Sequence, residues 1–410
     1  MKKLLVTIRH PGPADAILTI IPKLNEVFSI TMIVTDCAID ILKQRFPRYL
    51  KEYTIYFPGK SIEGKFSKEI ETSHFKTEFD SSEKNEYENF YKMVLELVDY
   101  INPDVALRTT PAYKWGIDEI IPRAMKEIGK YDNSFCFQEY YGVGKGMNNY
   151  ENEVAIYKAK NLFTVDRSSA KFLHKRGIEA ISVGWISHIK FQKMELFQSL
   201  RKKSREKIGI KDEKFIMYCV VNCGEIIQEV NHFEKLLICL EEISQNEDNI
   251  KILIKFHPRN SKEEIKLYKK RAQKYNVQVV DVGISLDYYE ILTLPDIIYS
   301  AASNMNIDLL AYQYAHEKYE DIAKHVMSVY SNDNFTKHII HKATGNHIIP
   351  SHTDKGGHVL VNDENMKSVF KKLILDEDKY EAVSRTAYDN FNGAHCSDEN
   401  IISSILKLMR

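Results

Sequence analysis

Short apolar runs, each followed by a polar loop and then an amphipathic helix, recur along the whole sequence. This alternation constrains the fold more than any other feature. Repeated strand-then-helix units lay strands side by side in parallel and cover both faces of the sheet with helices. In the first half, strands are expected over 4–9, 30–36, 53–57, 104–108, 133–138, 159–166 and 180–184. In the second they are expected over 215–221, 251–256, 277–282, 297–300 and 359–362. Between the two series, 187–211 breaks the pattern and carries the basic cluster Arg201-Lys-Lys-Ser-Arg205, read as a solvated helix face in a connection. The expected class is therefore α/β. It comprises two Rossmann-like doubly wound domains, an N-terminal one over 1–190 and a C-terminal one over 212–410, joined by a linker over 191–211 and facing each other across a cleft.

The chain has 410 residues, enough for two domains, and its 44% hydrophobic content lets each bury a core. Basic and acidic residues balance at 57 each, which argues against general nucleic-acid binding. No apolar run approaches 18 residues, so no membrane span is expected, and peripheral membrane association stays open. The first residues, Met1-Lys-Lys-Leu-Leu-Val-Thr-Ile8, have too short an apolar part for a signal peptide and read as a first buried strand. Six scattered cysteines, mostly in apolar segments, suit a reduced cytoplasmic protein.

Ligands of open α/β sheets bind at strand C-termini. Two such loops stand out between Lys251 and Tyr312. One follows a strand as Lys255-Phe-His257-Pro258-Arg259; the other runs Ser300-Ala-Ala-Ser303-Asn304 into a helix. Cationic side chains on one side, with hydroxyls and a helix N-terminus on the other, suit a phosphate. The serines serve equally as helix caps. In the first half, His10-Pro-Gly12-Pro-Ala-Asp15 reads as a βα turn, either a plain connection or a loop whose backbone admits substrate. It is not a G-x-G-x-x-G fingerprint and gives no support for a dinucleotide. Asp36, after the second strand, reads as the cap of the next helix. The polar stretch 61–86 reads as a long excursion of the kind that builds acceptor recognition.

The Lys-x-His-Pro loop followed by the Ser-x-x-Ser-Asn turn resembles the GT-B superfamily of glycosyltransferases. The closest likeness is to the branch with an HP motif and a serine motif: bacterial sialyltransferases, polysialic acid synthases and CDP-glycerol glycerophosphotransferases. The resemblance implies that His257 contacts the donor's nucleotide phosphate and that Ser300, Ser303 and Asn304 bind the same region. Lys255 and Arg259 join them by charge and position. It further implies a metal-independent transferase for surface-glycan assembly. Such an enzyme moves a sugar or glycerophosphate-like group from a CMP- or CDP-linked donor to a hydroxyl of a glycan or glycoconjugate, with inversion and no cofactor. The branch's acidic pair followed by Gly does not occur here. Glu139, ending a strand in Gln-Glu-Tyr-Tyr-Gly, is the first choice for the base, with Asp15 and Asp166 behind it. Tyr140 and Tyr141 offer faces for a sugar to stack on, and Lys145 offers a partner for a carboxylate or phosphate. No Asp-x-Asp stands at a suitable strand end, and the histidines between 338 and 358 match no zinc spacing. Two alternatives share the layout: a UDP-N-acetylglucosamine 2-epimerase-like enzyme, and a non-catalytic nucleotide-sugar-binding protein.

Overall fold

The computed structural model describes residues 1–409 apart from 10, 37, 59–65, 69–76, 78, 80, 81, 110–115, 138–159, 166, 176–179, 185, 187, 193, 210–213, 223, 245–249, 258, 259, 282–285, 304, 316–326, 345–358, 377, 380, 381 and 383–396. The chain divides into two units: Met1–Ile189 with Ala394–Arg410, and Lys190–Gly393.

The sheet of the first unit contains β1 (Lys2–Ile8), β2 (Phe28–Val34), β3 (Thr54–Pro58), β4 (Phe66–Ser67), β5 (Val105–Thr109), β6 (Ser134–Phe137), β7 (Asn161–Thr164) and β8 (Ala180–Ser182). Their order is β4-β3-β2-β1-β5-β6-β7-β8. Seven of these strands run parallel, and the two-residue β4 pairs antiparallel with β3 at the edge. The order reverses direction between β1 and β5, so their C-terminal ends form the crevice of this sheet. From Leu4 in β1 and throughout β5 every residue is buried without alternation, as in strands covered on both faces. Leu5, Ala106 and Ile33 pack on one face against Phe90, Val94 and Val98 of helix Lys84–Ile101 and against Ile120, Ile121 and Ala124 of helix Ile117–Glu127. Pro122 lies inside the latter helix without ending it.

The second unit holds β9 (Lys214–Cys219), β10 (Ile250–Lys255), β11 (Gln278–Asp281), β12 (Ile297–Ser300), β13 (Met327–Ser331) and β14 (Val359–Val361). All pair in parallel, in the order β11-β10-β9-β12-β13-β14. Here the reversal falls between β9 and β12. The core joins Ile216, Tyr218, Ile252, Ile254, Tyr299 and Val329 of the sheet to Phe233, Leu236, Leu237 and Leu240 of helix Ile226–Ser244, with Phe370 and Leu373 behind.

The units divide the chain differently from the sequence reading. Helix Phe197–Lys207, expected in a linker, belongs to the second unit. Its Arg201 and Arg205 both pair with Asp296, at 2.5 and 2.9 Å, and donate to the carbonyls of Thr293, Pro295 and Leu294. Of the basic cluster, only Lys202 and Lys203 lie on the exposed face. The terminal helix, Ser397–Leu408, was expected in the second domain but belongs to the first unit, where it lies against helix Pro11–Asn25. Among the described residues, no helix is long and apolar enough to cross a membrane.

Candidate functional site

In the second unit β9 lies between β10 and β12, so the two loops singled out in the sequence emerge on either side of it. The loop after β10 is pinned. The His257 N–H donates to Asn260 Oδ1 at 2.8 Å, and the Asn260 N–H returns to the His257 carbonyl at 2.9 Å. Asn260 also reaches Glu264, which forms a capping box with Ser261 at the start of helix Lys262–Ala272. His257 and Lys255 are both half-buried.

The loop after β12 is held from inside. Ser300 is fully buried; its hydroxyl donates to Asn306 Oδ1 at 2.6 Å and accepts from the Ser303 N–H at 3.1 Å. Asn306 donates onward to Ser328 Oγ at 2.7 Å and to the Val329 carbonyl at 3.2 Å. This ties the start of helix Met305–Ala315 to β13. Ser303 is half-buried and accepts from the Met305 N–H at 3.3 Å, capping that helix. Of the two serines, Ser303 is therefore the one with a face toward solvent. Cys219, at the end of β9, links the loops. It lies 3.7 Å from Met305 Sδ, hydrogen-bonds Ser303, and feels the Lys255 charge. Burial nevertheless pushes its thiol up to about 12, so it is no thiolate nucleophile at neutral pH.

Arg259, Asn304, Glu139, Tyr140, Tyr141, Lys145 and Asp166 lie outside the described residues. Gly12 falls in the first turn of helix Pro11–Asn25, so Pro11 to Asp15 of the stretch read as a βα turn are already helix, with Pro11 at the position that tolerates proline best. Asp15 pairs with Arg45 at 2.8 Å on that helix. Asp36 does not use its carboxylate as a helix cap. Its backbone is left-handed, with φ 50°, and its carboxylate accepts from Arg9 Nε at 3.3 Å, from Thr35, and closely from Thr77.

That contact opens onto a group of charges the sequence reading missed. Arg9 follows β1 and Arg108 lies in β5, so both stand at the crevice of the first sheet. Both are buried, as are Asp118 and Glu119 in the first turn of helix Ile117–Glu127. Arg9 Nη1 sits 3.8 Å from Asp118 Oδ2. Burial raises the Asp118 carboxyl to about 6, against the pull of Arg9 and Arg108. Burial and the neighbouring Asp118 raise Glu119 to about 8, against Arg108 and Arg9. Both carboxyls are thus held above the ordinary carboxylate range, and the pair binds protons more tightly than free carboxylates do. A sequence signal did exist: an arginine closing the apolar stretch of each of the two central strands, and an Asp-Glu pair in the first turn of the following amphipathic helix. Among the described residues, no group of three or more His, Cys, Asp or Glu could hold a metal ion.

The fold is of the two-domain kind called GT-B, with one Rossmann-like doubly wound sheet in each unit. No protein-family profile and no curated protein matches the sequence. Solved structures do match in fold. UDP-GlcNAc 2-epimerase from Neisseria meningitidis bound to UDP-GlcNAc is 14% identical, with a TM-score of 0.62 over 99% of this chain and 100% of that one. The S. aureus MnaA–UDP co-structure is 12% identical, with a TM-score of 0.64 over 100% and 98%. MurG from Acinetobacter baumannii is 10% identical, with a TM-score of 0.56 over 99% of each chain. At such identities the likeness is one of fold.

Proposed function

We propose that this chain is an enzyme acting on a nucleotide-activated sugar, and that it is a glycosyltransferase. The observation that carries the reading is the meeting, around Cys219, of a Lys255–His257 loop and the Ser303-capped start of helix Met305–Ala315. Cations and a helix N-terminus at one crevice suit the phosphates of a nucleotide leaving group. As the glycosidic bond breaks, negative charge grows on those phosphates. Groups that stabilise it more in the transition state than in the ground state accelerate the step. In this reading Lys255 supplies charge, Ser303 supplies a hydrogen bond, His257 contacts or protonates the leaving phosphate, and no metal ion is needed. Inverting transfer to an acceptor hydroxyl then requires a base, assigned to Glu139.

Resemblance to the HP-motif branch supports a CMP- or CDP-linked donor. The neighbours holding UDP-GlcNAc and UDP support a uridine one. A second reading, epimerisation of a free nucleotide sugar, has its own support. Several neighbours are UDP-GlcNAc 2-epimerases, and a reaction that moves protons at a sugar carbon suits a crevice holding two carboxyls whose proton affinity is raised by burial.

Thermal shift and titration with CMP, CDP, UDP and UDP-GlcNAc, with and without magnesium, choose the nucleotide. Incubation of UDP-GlcNAc with the protein in heavy water, without acceptor, then separates the reactions. Deuterium in the sugar indicates an epimerase, whereas nucleotide release that requires an added hydroxyl acceptor indicates a transferase. Binding with neither reaction leaves a non-catalytic binding protein. His257→Ala is expected to weaken nucleotide binding at least tenfold with the melting temperature unchanged, and full binding by that variant defeats the phosphate role.

A further inference from the structure

One face of helix Ile226–Ser244 carries three polar residues at successive i+3 steps: Glu229, His232 and Lys235. Glu229 and His232 are buried, with 1% and 0% of their surface exposed, on a helix whose other buried residues are apolar apart from its cysteine. Buried polar groups persist where their hydrogen bonds are made. Here each one reaches a different strand end.

Glu229 takes the N–H groups of Val221 and, at 3.1 Å, Asn222, just past β9. Asn222 is left-handed, with φ 55°, and Gly224 follows with φ 82°. Two successive N–H groups converging in such a turn form an anion seat. A protein carboxylate already fills it, so a ligand phosphate is left the Ser303 side of the crevice.

His232 bridges the two strands that flank the crevice. Its Nδ1 lies 2.9 Å from Tyr218 Oη on β9, and its Nε2 lies 3.0 Å from Tyr299 Oη on β12. Those tyrosines are register partners and immediately precede Cys219 and Ser300. The imidazole also stacks on the Tyr299 ring at 5.3 Å. Burial lowers its pKa to about 4, so it stays neutral and donates through one nitrogen while accepting through the other.

Lys235 binds Asp333 at 3.1 Å and Asp363 at 2.6 Å, residues that follow β13 and β14. Asp333 caps helix Asn334–Thr344 through the Thr336 N–H, 2.9 Å away.

We propose that Glu229, His232 and Lys235 form a positioning ladder. It fixes the ends of β9, β12, β13 and β14, and affinity for a nucleoside phosphate at the Ser303 side is set through it. The proposal rests on the nucleotide-phosphate reading above. None of the three residues needs to touch the ligand. Glu229 and His232 act through Val221, Asn222, Cys219 and Ser300.

The test uses the full chain titrated with CMP, CDP and UDP, well below the melting temperature of each variant. Glu229→Gln and His232→Phe are expected to bind the preferred nucleotide at least tenfold more weakly. His232→Gln keeps a donor and an acceptor, and it is expected to bind within threefold of the unsubstituted chain. If the folded variants His232→Phe and Glu229→Gln both bind as tightly as the unsubstituted chain, the ladder is purely structural and the proposal fails. If the unsubstituted chain binds none of the three nucleotides, the functional reading fails instead. Amide hydrogen exchange then decides the ladder alone. Either substitution is expected to speed exchange at least tenfold over 219–224 and 299–303 while leaving the first unit unchanged. Unchanged exchange there overturns the ladder.

Discussion

Gly116 lies in close approach to Arg9. Its backbone is extended and unstrained, yet a Cβ there would meet Arg9 Nη1 at 2.6 Å and the Thr77 carbonyl at 3.5 Å. The guanidinium has little room to yield, because Asp36 holds its Nε and Asp118 faces its Nη1. Gly116→Ala is therefore expected to cost about 1–3 kcal/mol of first-unit stability, as overpacking does. Urea denaturation followed by hydrogen exchange in each unit checks both size and place. A second residue-scale expectation concerns Ser300, whose hydroxyl is enclosed between Asn306 and the Ser303 N–H. Ser300→Ala leaves Asn306 Oδ1 short of a donor and is expected to cost about 1–3 kcal/mol. Ser303→Ala, at a half-buried cap, is expected to cost about 1 kcal/mol. Thermal melts of the pair distinguish the enclosed hydroxyl from the cap.

At the scale of elements, helix Phe197–Lys207 is two helices in one sequence. Arg201 and Arg205 face inward onto Asp296, which also accepts from the Phe215 N–H at 2.8 Å and so anchors the start of β9. Asp296→Ala leaves two largely buried guanidiniums without their carboxylate and is expected to destabilise the second unit by roughly 3–5 kcal/mol. Lys202→Ala, on the exposed face, should stay within about 0.5 kcal/mol. Chemical denaturation of the two variants gives the comparison. A composition-based reading treats the five-residue basic run as one object because charge alone does not reveal facing. The apolar strands were legible for the opposite reason: a parallel strand covered on both faces reads as a run of apolar residues, so β1, β5, β9, β10 and β12 announce themselves by their apolar stretches. β13 did not. Its Met-Ser-Val-Tyr-Ser sequence carries two serines that are fully buried, and one of them is a partner of Asn306. The cluster of Arg9, Arg108, Asp118 and Glu119 escaped in the same way, since charged residues are ordinarily exposed and their mutual pairing is a property of the folded sheet. The two loops around Cys219 were legible because cationic and hydroxyl residues directly follow strands.

At the scale of the whole molecule, the two units carry opposite pH responses. In the first, Asp118 and Glu119 have folded pKa values raised to about 6 and about 8, above their ordinary values. The folded unit thus binds more protons than the unfolded chain. These two groups therefore contribute stability that is fully present at acidic pH and is expected to be lost as pH rises between about 4 and 8, by up to ~1.4 kcal/mol per pH unit for each proton. In the second, burial lowers His232 to about 4; Glu264 is held below its ordinary value by hydrogen bonds from the Ser261 N–H and Asn260, and Asp333, against burial, by His232, the Thr336 N–H and Lys235. That unit loses stability as pH falls through 6.5 toward 4. Calorimetry from pH 5 to 8, with exchange measurements to assign each transition, is expected to show the first unit weakening as the second strengthens. Glu119→Gln should flatten the first unit's dependence.

The terminal helix has a further consequence. Ile401 and Ile405 are fully buried in the first unit, yet the entire second unit, Lys190–Gly393, lies in sequence between that helix and the rest of its own unit. On a ribosome adding roughly 5–20 residues per second, the first unit's remaining strands and helices emerge about 200 residues, or some 10–40 s, before the piece that completes it. The nascent chain therefore carries an unfinished apolar groove beside helix Pro11–Asn25 throughout synthesis of the second unit. Completion of the first unit therefore waits on synthesis of the second.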